Sequence, residues 1–241
     1  MIKWTCVFFI SLWGMSAEAA LLVSYNFNSG TNTASTPINT LTPTAFGSGG
    51  GNGFTAQQNA GTFGASSPVG SWANTSLSPS DLAPNQNANA YFIAFAVTNT
   101  AVGPVRVTSL SYDLRQLTGA YSGADIVGAI GYGVSSSTTT PTFQFADSGV
   151  RVTPGNSSTV TFNFGVGSLP AVTLAQNDRL QVRILLRSTT KNASGQIGTR
   201  SITFDNITLN GDVVPEPASL AVFGLLGAGL VAKRFRRKQS A

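Results

Sequence analysis

The stretch Arg179-Leu180-Gln181-Val182-Arg183-Ile184-Leu185-Leu186-Arg187 sets Leu180, Val182, Ile184 and Leu186 on one parity and Arg179, Gln181, Arg183 and Arg187 on the other. A period of two belongs to a half-buried β-strand, whose successive side chains point to opposite faces of a sheet. The same alternation recurs along the chain. Val23, Tyr25 and Phe27 alternate with Ser24, Asn26 and Asn28; Ile126, Ile130, Tyr132 and Val134 share one parity, and Val160, Phe162, Phe164 and Val166 another. Residues 91–97 are almost continuously apolar, as in a central strand covered on both sides. Residues 105–114 and 201–209 each switch parity partway, near Thr108-Ser109 and Asp205-Asn206, as a β-bulge would cause. With residues 142–146 included, about eight strands lie between Gly-, Pro-, Asn- and Ser-rich turns. The expected fold is therefore all-β, a single antiparallel β-sandwich or jelly-roll-like domain. Residues 28–89 are sparse in apolar side chains and rich in Gly, Ser, Thr and Asn. Long surface loops are expected there, with one or two short strands near residues 53–55 and 70–73.

Charge and rare residues narrow the chemistry. The chain of 241 residues carries a formal charge of +5, but five of its bases sit between residues 233 and 238. From Leu21 to Val214 eight bases face seven acids, a net +1 with no basic cluster, so a nucleic-acid partner is not expected. Histidine is absent and the one cysteine is Cys6. Disulfides in the body, thiolate metal sites and His-dependent catalytic triads are thereby excluded. No metal and no cofactor are expected.

The two ends carry their own signals. Lys3 precedes a mostly apolar run from Trp4 to Met15, and Ala17-Glu18-Ala19 puts small residues where a signal peptidase needs them. Ala17 and Ala19 are the candidate recognition residues, with cleavage after Ala19. At the other end Pro215-Glu216-Pro217 leads into a Gly-, Ala- and Leu-rich stretch, residues 218–232. Lys233, Arg234, Arg236, Arg237 and Lys238 follow it. Fifteen residues of helix reach about 22 Å, short of the roughly 30 Å hydrocarbon core, and snorkelling by Lys233 and Arg234 closes the gap. The basic cluster stays cytoplasmic and directs the body outward, in agreement with the signal peptide. Two prolines without amide donors keep the junction extended, as a processing enzyme requires. An ordinary single-pass anchor with a proline-containing linker is the plainer alternative.

Pro-Glu-Pro, then a short transmembrane helix, then an Arg-rich terminus resembles the PEP-CTERM sorting signal of Gram-negative bacteria. The resemblance covers the last 27 residues or so. It implies recognition by an exosortase, transient anchoring in the inner membrane, and transfer to the cell surface or extracellular matrix. It also implies an association with exopolysaccharide and biofilm. The chain then divides into a signal peptide at 1–19, a β-sandwich body at 20–212 and a sorting tail at 213–241.

Catalysis is not indicated. The body holds no glutamate, and nothing in the sequence pairs two of its aspartates as glycoside hydrolysis requires. The run Gly128-Ala129-Ile130-Gly131-Tyr132-Gly133 lacks the Lys-Ser/Thr and helix of a phosphate loop, and close strand packing accounts for it better. Asp205-Asn206 is read as a turn or bulge rather than a calcium site, which needs six to eight oxygens. The Arg179-Gln181-Arg183-Arg187 row reads as a solvated sheet face with Asp residues on neighbouring strands, and alternatively as a surface for an acidic polysaccharide. Three functions remain in order of preference. The first is a non-enzymatic matrix protein; the second is a carbohydrate-binding module, with Trp72 and Tyr121 as stacking aromatics; the third is a glycan hydrolase.

Overall fold

The computed structural model describes residues 19–27, 33–35, 41–49, 55–58, 70–77, 92–116, 126–136, 139–153, 155–188 and 200–214. Thirteen strands occupy them: β1 (Ala20–Tyr25), β2 (Leu41–Pro43), β3 (Gly47–Gly49), β4 (Thr55–Gln58), β5 (Gly70–Leu77), β6 (Phe92–Asn99) and β7 (Val105–Gln116). There follow β8 (Ile126–Ser135), β9 (Gln144–Val152), β10 (Ser157–Asn163), β11 (Val172–Leu174), β12 (Arg179–Ser188) and β13 (Arg200–Val213). No helix occurs among the described residues.

Two antiparallel sheets form the body. The first runs β10-β7-β13-β5-β4, with β1 also on β13 and β11 also on β7; the second runs β2-β6-β12-β8-β9, with β3 also on β6. The expected alternation fills the space between them. Leu180, Val182 and Ile184 of β12 are buried with Ile93, Phe95 and Val97 of β6 and Ile126, Ile130 and Tyr132 of β8. From the first sheet come Leu110, Tyr112 and Leu114, Ile202, Phe204, Ile207 and Leu209, all in the same apolar cluster. Tyr25, Phe27, Phe46 and Phe95 close one part of this core with ring centroids 5.1–5.8 Å apart in four of their pairs. Such tilted and offset pairs each contribute about 0.5–1.5 kcal/mol beyond burial. The Tyr25 hydroxyl is satisfied by donating to the Thr44 carbonyl at 2.7 Å.

Both parity switches are β-bulges. Between Asn210 and Gly211 of β13 the partner strand β7 steps from Ser109 to Val107, so Thr108 is the extra residue. Between Asp205 and Thr208 the partner steps only from Asp113 to Ser111, which places the second bulge at Asn206-Ile207. Asn206 takes φ +48°, a left-handed conformation that asparagine tolerates better than most residues. Residues 28–89 hold more order than expected, since β2, β3, β4 and β5 all fall there. Thr55 and residues 70–73 do lie in strands, while residues 53–54 lie outside the described set. Val166 departs from its expected row: β10 ends at Asn163 and Val166 is exposed on the turn beyond Phe164.

The two ends of the body lie together. Ala20, at the start of β1, is opposite Gly211, and Val213 is opposite Val105 at the start of β7. The Val214 amide donates to the Pro104 carbonyl at 2.9 Å, so the chain is held to the body up to the residue before Pro215.

Candidate functional site: a groove on the outer face of the second sheet

Strand β12 is central in the second sheet, and its outward row is Arg179, Gln181, Arg183 and Leu185. Its neighbours are small. Opposite Arg183 stand Ala94 and Gly131, opposite Gln181 stand Ala96 and Gly133, and opposite Arg179 stand Thr98 and Ser135. The long side chains of β12 therefore have only small side chains beside them within the sheet. None of these register partners is acidic, which corrects the expectation of aspartates alongside the arginines.

The glycines are small because other groups cover them. A Cβ at Gly131 would sit 2.7 Å from Cε1 of Phe145, and one at Gly133 would sit 2.8 Å from the Thr142 carbonyl oxygen. Close packing, as expected, explains this part of the Gly128–Gly133 run. The segment that covers Gly133 forms one wall. Its start is tied by the Ser136 amide donating to Thr139 Oγ1 at 3.0 Å and the Thr139 amide donating to the Ser136 carbonyl at 3.4 Å.

The far end is set by Asn99, which is fully buried. Its Nδ2 donates to the carbonyls of Gly103 at 3.0 Å and Leu174 at 2.9 Å, and its Oδ1 accepts from the Ala101 amide at 2.9 Å. Its backbone also exchanges bonds with the turn at 175–178, through Asn177 at 2.7 Å and Asp178 at 2.9 Å. Asn177, at φ +67°, is thereby placed in the groove lining. The result is an open groove of about 650 Å³ whose lining includes Arg179, Gln181, Arg183, Ser135, Thr140 and Asn177.

Arg183 packs against two rings. Its guanidinium carbon lies 3.8 Å from the Phe143 ring centroid and 4.4 Å from that of Phe92. Partial burial pushes its pKa down, yet a guanidinium remains charged across the accessible range. Beyond it Leu185 and Ala129 are buried on the same face with Phe92 and Phe145 packed on them. This face is thus not uniformly solvated: it grades from arginine and amide to a small apolar patch.

The other candidate residues fall elsewhere. Asp205 and Asn206 lie on the first sheet, where Asn206 Nδ2 and Thr159 Oγ1 donate to the two oxygens of Asp113 at 2.8 and 2.6 Å. Asp205, opposite Asp113, is 1% exposed, and burial pushes its pKa up to about 6. Among the described residues no three His, Cys, Asp or Glu side chains gather. Trp72 lies on β5 of the first sheet, opposite Phe204, and its side chain is outside the described set, as is Tyr121 altogether. Arg187 is opposite Val127, with its side chain likewise outside. Ala19 is exposed just before β1; Ala17, Pro215, Glu216, Pro217, residues 218–232 and the basic cluster from Lys233 to Lys238 lie outside the described residues. Among the described residues no helix is long and apolar enough to cross a membrane. Phe92 and Phe143, missed as site residues, gave only the ordinary signal of apolar strand positions.

An antiparallel all-β body is the class these features define. Residues 213–238 match the family model for the PEP-CTERM protein-sorting motif, so the chain carries that motif in its tail, with the export and exosortase processing it implies. No curated protein matches the chain. Similar solved structures include the CBM22-1 xylan-binding domain of Paenibacillus barcinonensis Xyn10C, with 13% identity and a TM-score of 0.43 over 83% of this chain and 100% of that one. Another is TmCBM27, a mannan-recognising carbohydrate-binding module, with 11% identity and a TM-score of 0.33 over 82% and 100%. At these levels of superposition they say nothing of this chain's ligand.

Proposed function

We propose that this is a non-enzymatic surface or extracellular-matrix protein, exported behind a signal peptide, anchored transiently by its tail and passed on by an exosortase. The observation that carries the reading is the placement of the sorting motif. It begins at residue 213, where the last strand of the body ends, and the Val214 amide is still bonded to Pro104. A cut near Pro215 would part the body from the membrane helix, for transfer to the surface, with every described strand intact. The start of β1 at Ala20, beside Gly211, supports signal-peptide removal at the same end of the body. A Ser-, Thr- and Asn-rich surface suits life among hydrated polysaccharide chains of an exopolysaccharide or biofilm matrix. Mass spectrometry of the mature protein from cells with and without exosortase tests this. A species starting at Ala20 and ending near Pro215, dependent on the enzyme, is expected; termini intact at both Met1 and Ala241 would overturn it.

The groove favours a second reading, that the body binds carbohydrate. Guanidinium, amide and hydroxyl groups converge in an open channel beside an aromatic ring, a lining that suits polyhydroxylated chains.

A further inference from the structure

We infer that the groove is a binding site for an anionic, carboxylate-bearing polysaccharide, in which Arg183, packed against Phe92 and Phe143, grips the carboxylate. This rests on the reading of the groove as a carbohydrate face and names its substrate class.

The ring packing is the first argument. Rings at 3.8 and 4.4 Å occupy the neighbourhood of the guanidinium carbon and attract the cation through their quadrupoles. The rings attract the cation without hydrogen-bonding its N–H groups, and a carboxylate accepts two parallel bonds from such a fork. Holding the side chain beforehand removes part of the rotamer cost of binding. Register gives the second argument. Ala94 and Gly131, opposite Arg183, carry no side-chain acceptor that competes for the cation.

Length is the third. Arg179 lies four residues from Arg183 on the same face, about 13 Å along the strand, with Gln181 between them. That span exceeds one sugar residue and calls for a chain with repeated charges. The wall supplies hydroxyl groups from Thr139 and Thr140 to meet the sugar hydroxyls. Nucleic acid fits less well. The body's net charge of +1 releases few counterions, and the ring of Phe143 is engaged by Arg183 rather than open to a base.

The test is calorimetric titration of the full-length protein in detergent with polygalacturonate, alginate, dextran, dextran sulfate and duplex DNA. Polygalacturonate or alginate should bind at least about tenfold more tightly than dextran, and the advantage should shrink with salt. Arg183→Gln should abolish that advantage, and Arg183→Lys should lose most of it, because an ammonium cannot form the forked contact. Arg106→Gln, on the first sheet, should leave it unchanged. If Arg183→Gln melts early, the exposed Arg179→Gln replaces it and should cost several-fold. Dextran binding as tightly as the uronate polymers overturns this inference while sparing the carbohydrate reading; failure of every glycan overturns both. Equal binding of dextran sulfate or DNA overturns the assignment to carboxylates.

Discussion

Asp205 is a carboxyl deprived of water, lying opposite a second carboxyl in register. Burial is the main cause of its raised pKa, with the Asp113 charge adding to it against the hydrogen bond from the Asn206 amide. The native state holds this proton up to about pH 6, whereas the unfolded chain releases it near 3.8. Between those values the native state binds more protons, so stability falls as pH rises from about 4 to 6. The loss attributable to this group is on the order of 3 kcal/mol at most. Urea denaturation from pH 3.5 to 7 should show the decline, and Asp205→Asn should flatten it. A wild-type protein equally stable at pH 4 and 6.5 would refute the assignment.

Strand β13 shows what periodicity reveals and what it hides. The break in its alternation at Asp205-Asn206, and the matching break in β7, were legible as bulges because a single inserted residue moves every later side chain to the other face. The inward rows of β10 and β12 were legible for the same reason, as was that of β8 up to Tyr132, beyond which Val134 is exposed instead of buried. Strand β3 was not: Gly47-Ser48-Gly49 has too little side chain to alternate. The groove was half legible. Sequence marked Arg179, Gln181 and Arg183 as one outward row, but the rings on Arg183 come from residues 40 and more positions away, beyond any local pattern. The bulge also makes its own prediction. Asn206→Gly keeps the left-handed backbone and loses only the bond to Asp113, whereas Asn206→Ala loses both and should be less stable by a further 1 kcal/mol or so. Equal melting temperatures for the two variants would show that the backbone conformation is not required.

The body and its tail meet at one strand. A chain truncated after Val214 retains all thirteen strands and should melt within about 2 °C of the full-length protein, since a terminal change outside the packed core leaves the stabilising contacts in place. The same truncation should appear in the medium rather than on cells, as fractionation would show. Retention at the surface would mean that the body, not the tail, attaches the protein. The tail leaves from a strand bonded to β7 along one edge and to β1 and β5 along the other. Any pull transmitted through Val214 is thus applied along the axis of an interior strand. Its ladders resist together, in shear, instead of opening rung by rung as a peeled edge strand would. A tether fixed there lets flow or a dragging polymer strain the molecule before the sandwich comes apart.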